Sequence, residues 1–411
     1  MSRRPRPRTL GIVCACLVLL AAGVVTGVHW AHDRGSVTLL ANWSSAEEKA
    51  FQEVIDRFEK DKGIEVIYEG SSALSQVLAA DIASGTPPDV AMVPGPGELL
   101  AYAAQGRLHR LDALFDADQY DDFWTPRLRP QGGLEGTYWL PVKASLKSMV
   151  WYSGIRRDQV AESAGTPRNW CLAMGSGATS GWPGTDWVED ILLQQTDAKT
   201  YRKWVDGSLA WTHDSVRAAW TTFGDLVGAG DLARVERALK DDFDNACAQR
   251  LEHQGSFRAA HWQQRPGGAR YVHSADVFPE SAAGNRWEVS GDLAVMLNPT
   301  DEAKEWIRYL ADPGTPLPGH TVNTAATSPH DGNSTEGRIG ATLRAPDETL
   351  CWDASDAMPR ATRDAFHQAV LRYLLSPRTL DAELAALERR RVVPQSTPGL
   401  PPGTPQLPVC S

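Results

Sequence analysis

The chain has 411 residues, 42% of them hydrophobic and 22% charged, with a formal net charge of −10. That length exceeds what one small core organises and predicts two domains or one large bilobed unit. The acidic balance excludes a nucleic-acid partner, because phosphate binding needs a basic face.

Arg3, Arg4, Arg6 and Arg8 precede an uncharged apolar run over residues 9–28. A basic segment followed by an apolar one is an export signal, so the chain beyond residue 30 is expected outside the cytoplasmic membrane. The run is also long enough to span a bilayer. Residues 1–30 therefore read either as a signal peptide cut after Gly27 or as a retained signal anchor. Cys14 and Cys16 lie too early in the run for a good lipoprotein cleavage site. Four cysteines remain beyond it, Cys171, Cys247, Cys351 and Cys410, and none are spaced as a metal knuckle. In an oxidising compartment they read as disulfide staples, with three complete connectivities open.

"SVTLLAN" (36–42) reads as a buried strand and the following segment as a helix, with a Ser45/Glu48 capping box, Phe51, Val54, Ile55 and Phe58 on one face, and Gly63 as the stop. "IEVIYEG" is the next strand, completing a strand-helix-strand unit that implies a parallel sheet. A helix at "LSQVLAADIASG" and a strand within "TPPDVAMVPGPGEL" continue the pattern. "TYWLPVKASLKSMVWYS" (137–153) is longer than an ordinary strand and suits a crossing between two sheets. A helical block covers about 186–240. "SADVFPE" and "WEVSGDLAVML" read as strands, and helices follow at "PTDEAKEWIRYLADPG", "MPRATRDAFHQAVLRYLL" and "PRTLDAELAALERRR". Residues 392–411 carry six prolines and no charge, and read as a disordered tail.

These blocks, together with "NWCLAMGSGATSGWPGTDWVEDILL", "CAQRLEHQGSF" and "DASDAMP", resemble the extracellular solute-binding proteins of sugar ABC transporters, in particular the α-glucoside group. The resemblance spans roughly residues 37–390. It implies an α/β, bilobed periplasmic-binding-protein-like fold, two lobes joined by crossing strands with the ligand cleft between them. On that pattern residues 36–143 and 288–312 form one lobe, and 144–287 with 313–391 the other. It also favours a disulfide between Cys171 and Cys247; Cys351 and Cys410 stay open as a second pair or free thiols.

Sugar rings present apolar faces and hydroxyl edges, so a sugar cleft needs aromatic platforms and forked polar groups. "SGWPGTDWVED" supplies both, and the resemblance places Trp182 through Asp186, including Thr185, at the cleft; Trp187 reads better as core. Trp43 ends the first strand with Ser44 at the start of the helix, and Ser72 ends the second strand. Lys143, Ser145 and Lys147 alternate on the crossing segment, and Glu288, Ser290 and Asp292 alternate on a later strand. Gln254 completes the candidates. His253 has no second ligand at metal spacing, and neither a metal nor a cofactor is expected. The expected partners are a sugar or oligosaccharide, ABC permease subunits and the membrane through the N-terminal segment, with the chain itself a monomer. A membrane-anchored sugar sensor and a glycoside hydrolase are the competing functions, the latter because acids abound around 186–190 and 288–292.

Overall fold

The structure is a computed structural model. It describes residues 35–43, 45–130, 133–282, 284–391 and 407–411; residues 1–30, expected to direct export, Ser44 and residues 392–406 of the tail lie outside the described residues.

β1 (Ser36–Ala41) leads into α1 (Ser45–Lys62), which buries Phe51, Val54, Ile55 and Phe58 against it. Gly63 adopts φ +68°, a conformation that costs glycine little, and its N–H returns to the Glu59 carbonyl at 2.9 Å to close the helix. β2 (Glu65–Gly70) then pairs parallel to β1, and after α2 (Leu74–Ser84), β3 (Val90–Val93) pairs parallel on the other side. The three strands point their C-terminal ends at one edge, where α3 (Gly97–Ala104) begins. Such an edge, outside the carboxyl ends of parallel strands, is where open α/β sheets place ligands.

Residues 137–153 leave one sheet and enter another. β4 (Leu140–Leu146) lies at the far edge of the large sheet, and β5 (Met149–Tyr152) is the centre of a three-stranded antiparallel sheet, between β6 (Leu251–His253) and β7 (Tyr271–His273). β8 (Arg286–Met296) returns to the large sheet, antiparallel to β3 and β4. β9 (Thr349–Trp352) pairs with the start of β8, giving the order β2-β1-β3-β8-β4 with β9 branching from β8.

Helices pack around both sheets: α4 (Trp182–Gln195), α5 (Ala198–Val205), α6 (Asp214–Val227), α7 (Leu232–Lys240), α8 (Asp301–Ala311), α9 (Thr335–Thr342), α10 (Ala354–Ala357), α11 (Arg360–Leu375) and α12 (Leu380–Glu388). Eleven tryptophans are among the most deeply buried side chains, so the abundance of tryptophan is mainly a packing property. Among the described residues no helix is long and apolar enough to cross a membrane.

Two local expectations fail. "SADVFPE" is not a strand: His273 Nδ1 accepts the Ala275 N–H at 3.0 Å and opens a 3-10 turn over Ser274–Asp276, which competes with extended backbone. The end of the tail, residues 407–411, is not disordered. Trp352 N donates to the Val409 carbonyl and Ser411 N to the Leu350 carbonyl, each at 2.8 Å, so the last residues satisfy the open edge of β9. A Cys351–Cys410 disulfide fixes them there, and a second disulfide joins Cys171 to Cys247.

Candidate functional site

A cleft of ≈ 190 Å³ opens at the carboxyl ends of the parallel strands. Its floor is the β4/β8 pair. Lys143 lies opposite Asp292 and Ser145 opposite Ser290, and Lys147 N donates to the Glu288 carbonyl at 2.7 Å. The two alternating triplets in the sequence are therefore cross-strand neighbours.

Each lysine bridges two carboxylates. Lys143 Nζ is 2.6 Å from Glu47 Oε1 and 3.0 Å from Asp292 Oδ2; Lys147 Nζ is 2.7 Å from Asp186 Oδ2 and 3.0 Å from Asp353 Oδ2. Burial pushes both ammonium pKa values down, but the surrounding carboxylates more than reverse this and hold both above the ordinary value.

One wall carries Trp43 and Ser72. Trp43 Nε1 donates to Asp292 Oδ2 at 2.8 Å, and its ring packs 3.8 Å from Phe51, so it is held from one side and meets the cleft with the other. Ser44 lies outside the described residues.

The opposite wall is built by α4 and α10. Trp182 opens α4 instead of standing in the loop before it: Gly181, at φ +107°, precedes the helix, and a Cβ there would come within 2.4 Å of the His367 carbonyl of α11. This close approach fits only glycine, and Pro183 in the first turn needs no backbone donor. The Trp182 ring meets Phe243 edge-on at 4.8 Å and Phe257 at 6.1 Å, with Lys147 Nζ 4.8 Å from its centroid. Trp187, five residues on, is core, packed edge-on against Trp170 at 4.6 Å.

Asp186 is 1% exposed. Burial pushes its carboxyl up to about 8, with Lys147 opposing and Asp353 adding to the rise. Asp353, beneath it, accepts from the Ser355 hydroxyl at 2.8 Å and the Asp356 N–H at 3.1 Å as the cap of α10. Burial pushes its pKa up, yet Lys147, the Glu189 side chain and the Asp356 N–H leave it below the usual carboxylate range. Asp356 also lines the cleft, and burial with the neighbouring Asp353 charge pushes it well up. His367 is buried, and desolvation with the nearby Arg363 charge lowers it to about 3, so it is neutral at physiological pH.

Trp43, Ser72, Lys143, Ser145, Trp182, Asp186, Ser290 and Asp292 thus all line the cleft. Three candidates do not. Thr185 is fully buried and its hydroxyl donates to the Trp182 carbonyl at 3.0 Å, inside the helix turn. Gln254 is buried beside Cys171 and Phe243, in a separate small cavity. Glu288 lies beneath the floor; neither carboxylate oxygen has a partner, and burial with the Asp353 and Glu189 charges pushes its pKa well up. Alternation put Glu288 on the right face but not at the right depth.

The cleft residues outside those candidates include Asn42, Phe243, Phe257, Asp353, Asp356, Arg363 and His367, along with Lys147, whose place in the alternation was visible. Arg363 reaches across to the other wall, with Nη2 2.9 Å from Ser75 Oγ and 3.2 Å from Glu98 Oε2. Asn42 Oδ1, Asp186 Oδ1 and His367 Nε2 are buried and have no hydrogen-bond partner among the described residues. Unpaired buried polar atoms are costly, and these three lie around one aromatic-walled cleft.

The family model for "bacterial extracellular solute-binding protein" matches residues 42–315. The chain belongs to that family. Within it, the chain is 29% identical over 387 residues to the osmoprotective compounds-binding protein GgtB of Synechocystis, covering 84% of this chain and 90% of that one. It is 30% identical to the alpha-glucosides-binding periplasmic protein AglE of Rhizobium meliloti, covering 71% of each. Among solved structures, a chitin oligosaccharide binding protein superposes with a TM-score of 0.67 over 88% of this chain and 98% of that one, at 14% identity. The solute receptor AcbH gives 0.66 over 87% and 98%, also at 14% identity. These likenesses give the chain the bilobed fold of periplasmic sugar-binding proteins. The family consists of substrate-binding receptors that work outside the cytoplasm.

Proposed function

We propose that this protein captures an α-glucoside or a related oligosaccharide outside the cytoplasmic membrane and delivers it to ABC permease subunits, without chemical change. The observation that carries the reading is the pairing of an aromatic wall, Trp182 with Phe243 and Phe257, with the three unpartnered buried atoms of Asn42, Asp186 and His367. A sugar stacks an apolar face on the ring and offers several hydroxyls that both donate and accept. The relatives' ligands, osmoprotective compounds and α-glucosides, support the same class.

Residues 36–143 with 288–312, and 144–287 with 313–391, are the two lobes in this reading. Ligand bound between them shifts the open-closed balance by its differential affinity. Residues 1–30 export the chain and either leave it or anchor it; the protein acts as a monomer.

A glycoside hydrolase needs two carboxyl groups flanking the scissile bond, one protonated and one free to attack or activate water. Asp186 and Asp353 have pKa values displaced in opposite directions, which suits that division. However, Lys147 Nζ bridges them, and both Asp353 oxygens are engaged, by Lys147 and by the α10 cap. Calorimetric titration of the full-length protein with α-linked disaccharides, followed by product analysis over hours, separates the two: saturable binding with intact sugar supports capture, and released monosaccharide supports hydrolysis.

A further inference from the structure

A second chamber of ≈ 230 Å³ adjoins the cleft and shares Trp43, Glu47, Lys143, Ser145 and Phe257 with it. Its far wall includes His320 and Glu336, and His330 lies behind them. His320 Nε2 is 3.0 Å from Glu336 Oε2, the His320 and His330 rings are 5.5 Å apart, and one ligand atom from each of the three residues lies within 4.8 Å of the others. The hydrogen bond accounts for His320 and Glu336. His330 is held through its backbone, whose N–H donates to Ser328 Oγ at 3.3 Å.

The geometry points to a divalent transition-metal site of the zinc class at His320, His330 and Glu336. Two imidazoles and one carboxylate are a donor set for zinc and its neighbours, not for calcium or magnesium, which take oxygen ligands. Donors around a tetrahedral zinc sit about 3.3 Å apart, from bond lengths of about 2.0–2.1 Å. The His320–Glu336 separation already matches this, and the remaining closure falls on His330, which sits in a turn between Ser328 and Asn333.

The surroundings hold the other two donors in place. The His320 carbonyl accepts the Ala144 N–H of β4 at 2.8 Å, which ties the site to the cleft floor. Gly340 of α9 packs on the same ring, close enough that a Cβ would lie 3.3 Å from His320 Nδ1. Glu336 stands in the first turn of α9, behind the Ser334 cap. The nearby Arg344 guanidinium donates to the Gly340 and Ala326 carbonyls, 3.3 and 3.2 Å away. Three protein donors leave a fourth position for water or for a ligand oxygen in the chamber. The site stands independently of the sugar reading.

The test is titration of the EDTA-stripped full-length protein with Zn²⁺ and with Co²⁺. One equivalent is expected to bind with a rise in melting temperature, and Co²⁺ to show the visible absorption of a low-symmetry site; Mg²⁺ and Ca²⁺ are expected to do neither. His330→Ala should weaken Zn²⁺ binding at least tenfold while leaving the metal-free melting temperature at the wild-type value, and Glu336→Gln should weaken it as well. Absence of saturable binding overturns the site, as does Zn²⁺ binding of wild-type strength in both variants, which would place the metal elsewhere.

Discussion

The Lys147 ammonium lies 4.8 Å from the centroid of the Trp182 ring. The floor of the cleft thus places a buried cation beside its main aromatic surface, a contact that attracts through the ring quadrupole. Trp182, the proposed ligand platform, also helps keep Lys147 in place between Asp186 and Asp353.

Replacing Trp182 with Ala removes a half-buried platform without opening the core. Ligand affinity is expected to fall about tenfold, in keeping with an aromatic contact worth about 1 kcal/mol beyond its buried area. Calorimetry measures the loss, and unchanged affinity would remove Trp182 from the site.

Lys147→Met leaves Asp186 and Asp353 buried without their shared counter-ion. Breaking one side of a buried ion pair costs about 3–5 kcal/mol. Urea unfolding should register a loss of that order; a change within about 0.5 kcal/mol, as for an ordinary surface position, would mean that the network is not holding the floor.

Glu288 predicts the sign of one pH effect. Its native pKa is raised, so the native state keeps a proton that the unfolded chain releases above its ordinary carboxylate value. Stability contributed by this group is complete below about pH 4.3 and falls by about 1.4 kcal/mol per pH unit above it until the native pKa is reached. Glu288→Gln carries no such penalty. The variant should melt higher than wild type at pH 8 and close to it at pH 5, and an equal shift at both values would contradict the assignment.

The two cross-links join different segments of the chain. Cys171–Cys247 ties the segment before α4 to the one before β6. Losing a native disulfide of this kind costs about 2–5 kcal/mol, which thermal unfolding of a Cys171→Ala/Cys247→Ala variant should show. Cys410→Ser should instead release residues 407–411 from β9 and expose them to carboxypeptidase, with little effect on the core. Resistance equal to wild type would mean that the backbone pairing alone holds the tail.

Much of the floor was legible because strand alternation is a local rule. Spacing put Lys143, Ser145 and Lys147 on one face and Ser290 and Asp292 on another, and the family resemblance, not the spacing, pointed those faces at the cleft. Their pairing across β4 and β8 bridges almost 150 positions of sequence, and no local pattern announces it. Depth was equally hidden: Glu288 alternates with Ser290 and Asp292, but the packing of α4 against β8 buries it fully. Asp353, Asp356 and His367 come from helices after the second return of the chain, and the pieces of His320, His330 and Glu336 fit no metal motif. Trp182 was reached through the family resemblance and its aromatic type, and its place at the start of α4 follows from Gly181 and Pro183 beside it.

The most direct measurement is calorimetric titration of the full-length protein with a panel of glucose, α-linked and β-linked glucose disaccharides, and a neutral non-sugar polyol, repeated with Trp182→Ala. Saturable one-to-one binding of at least one α-linked member, weakened about tenfold by the substitution, is the predicted result. A wild-type protein that binds none of the sugars, or binds them equally well without Trp182, would contradict the capture of an α-glucoside in this cleft.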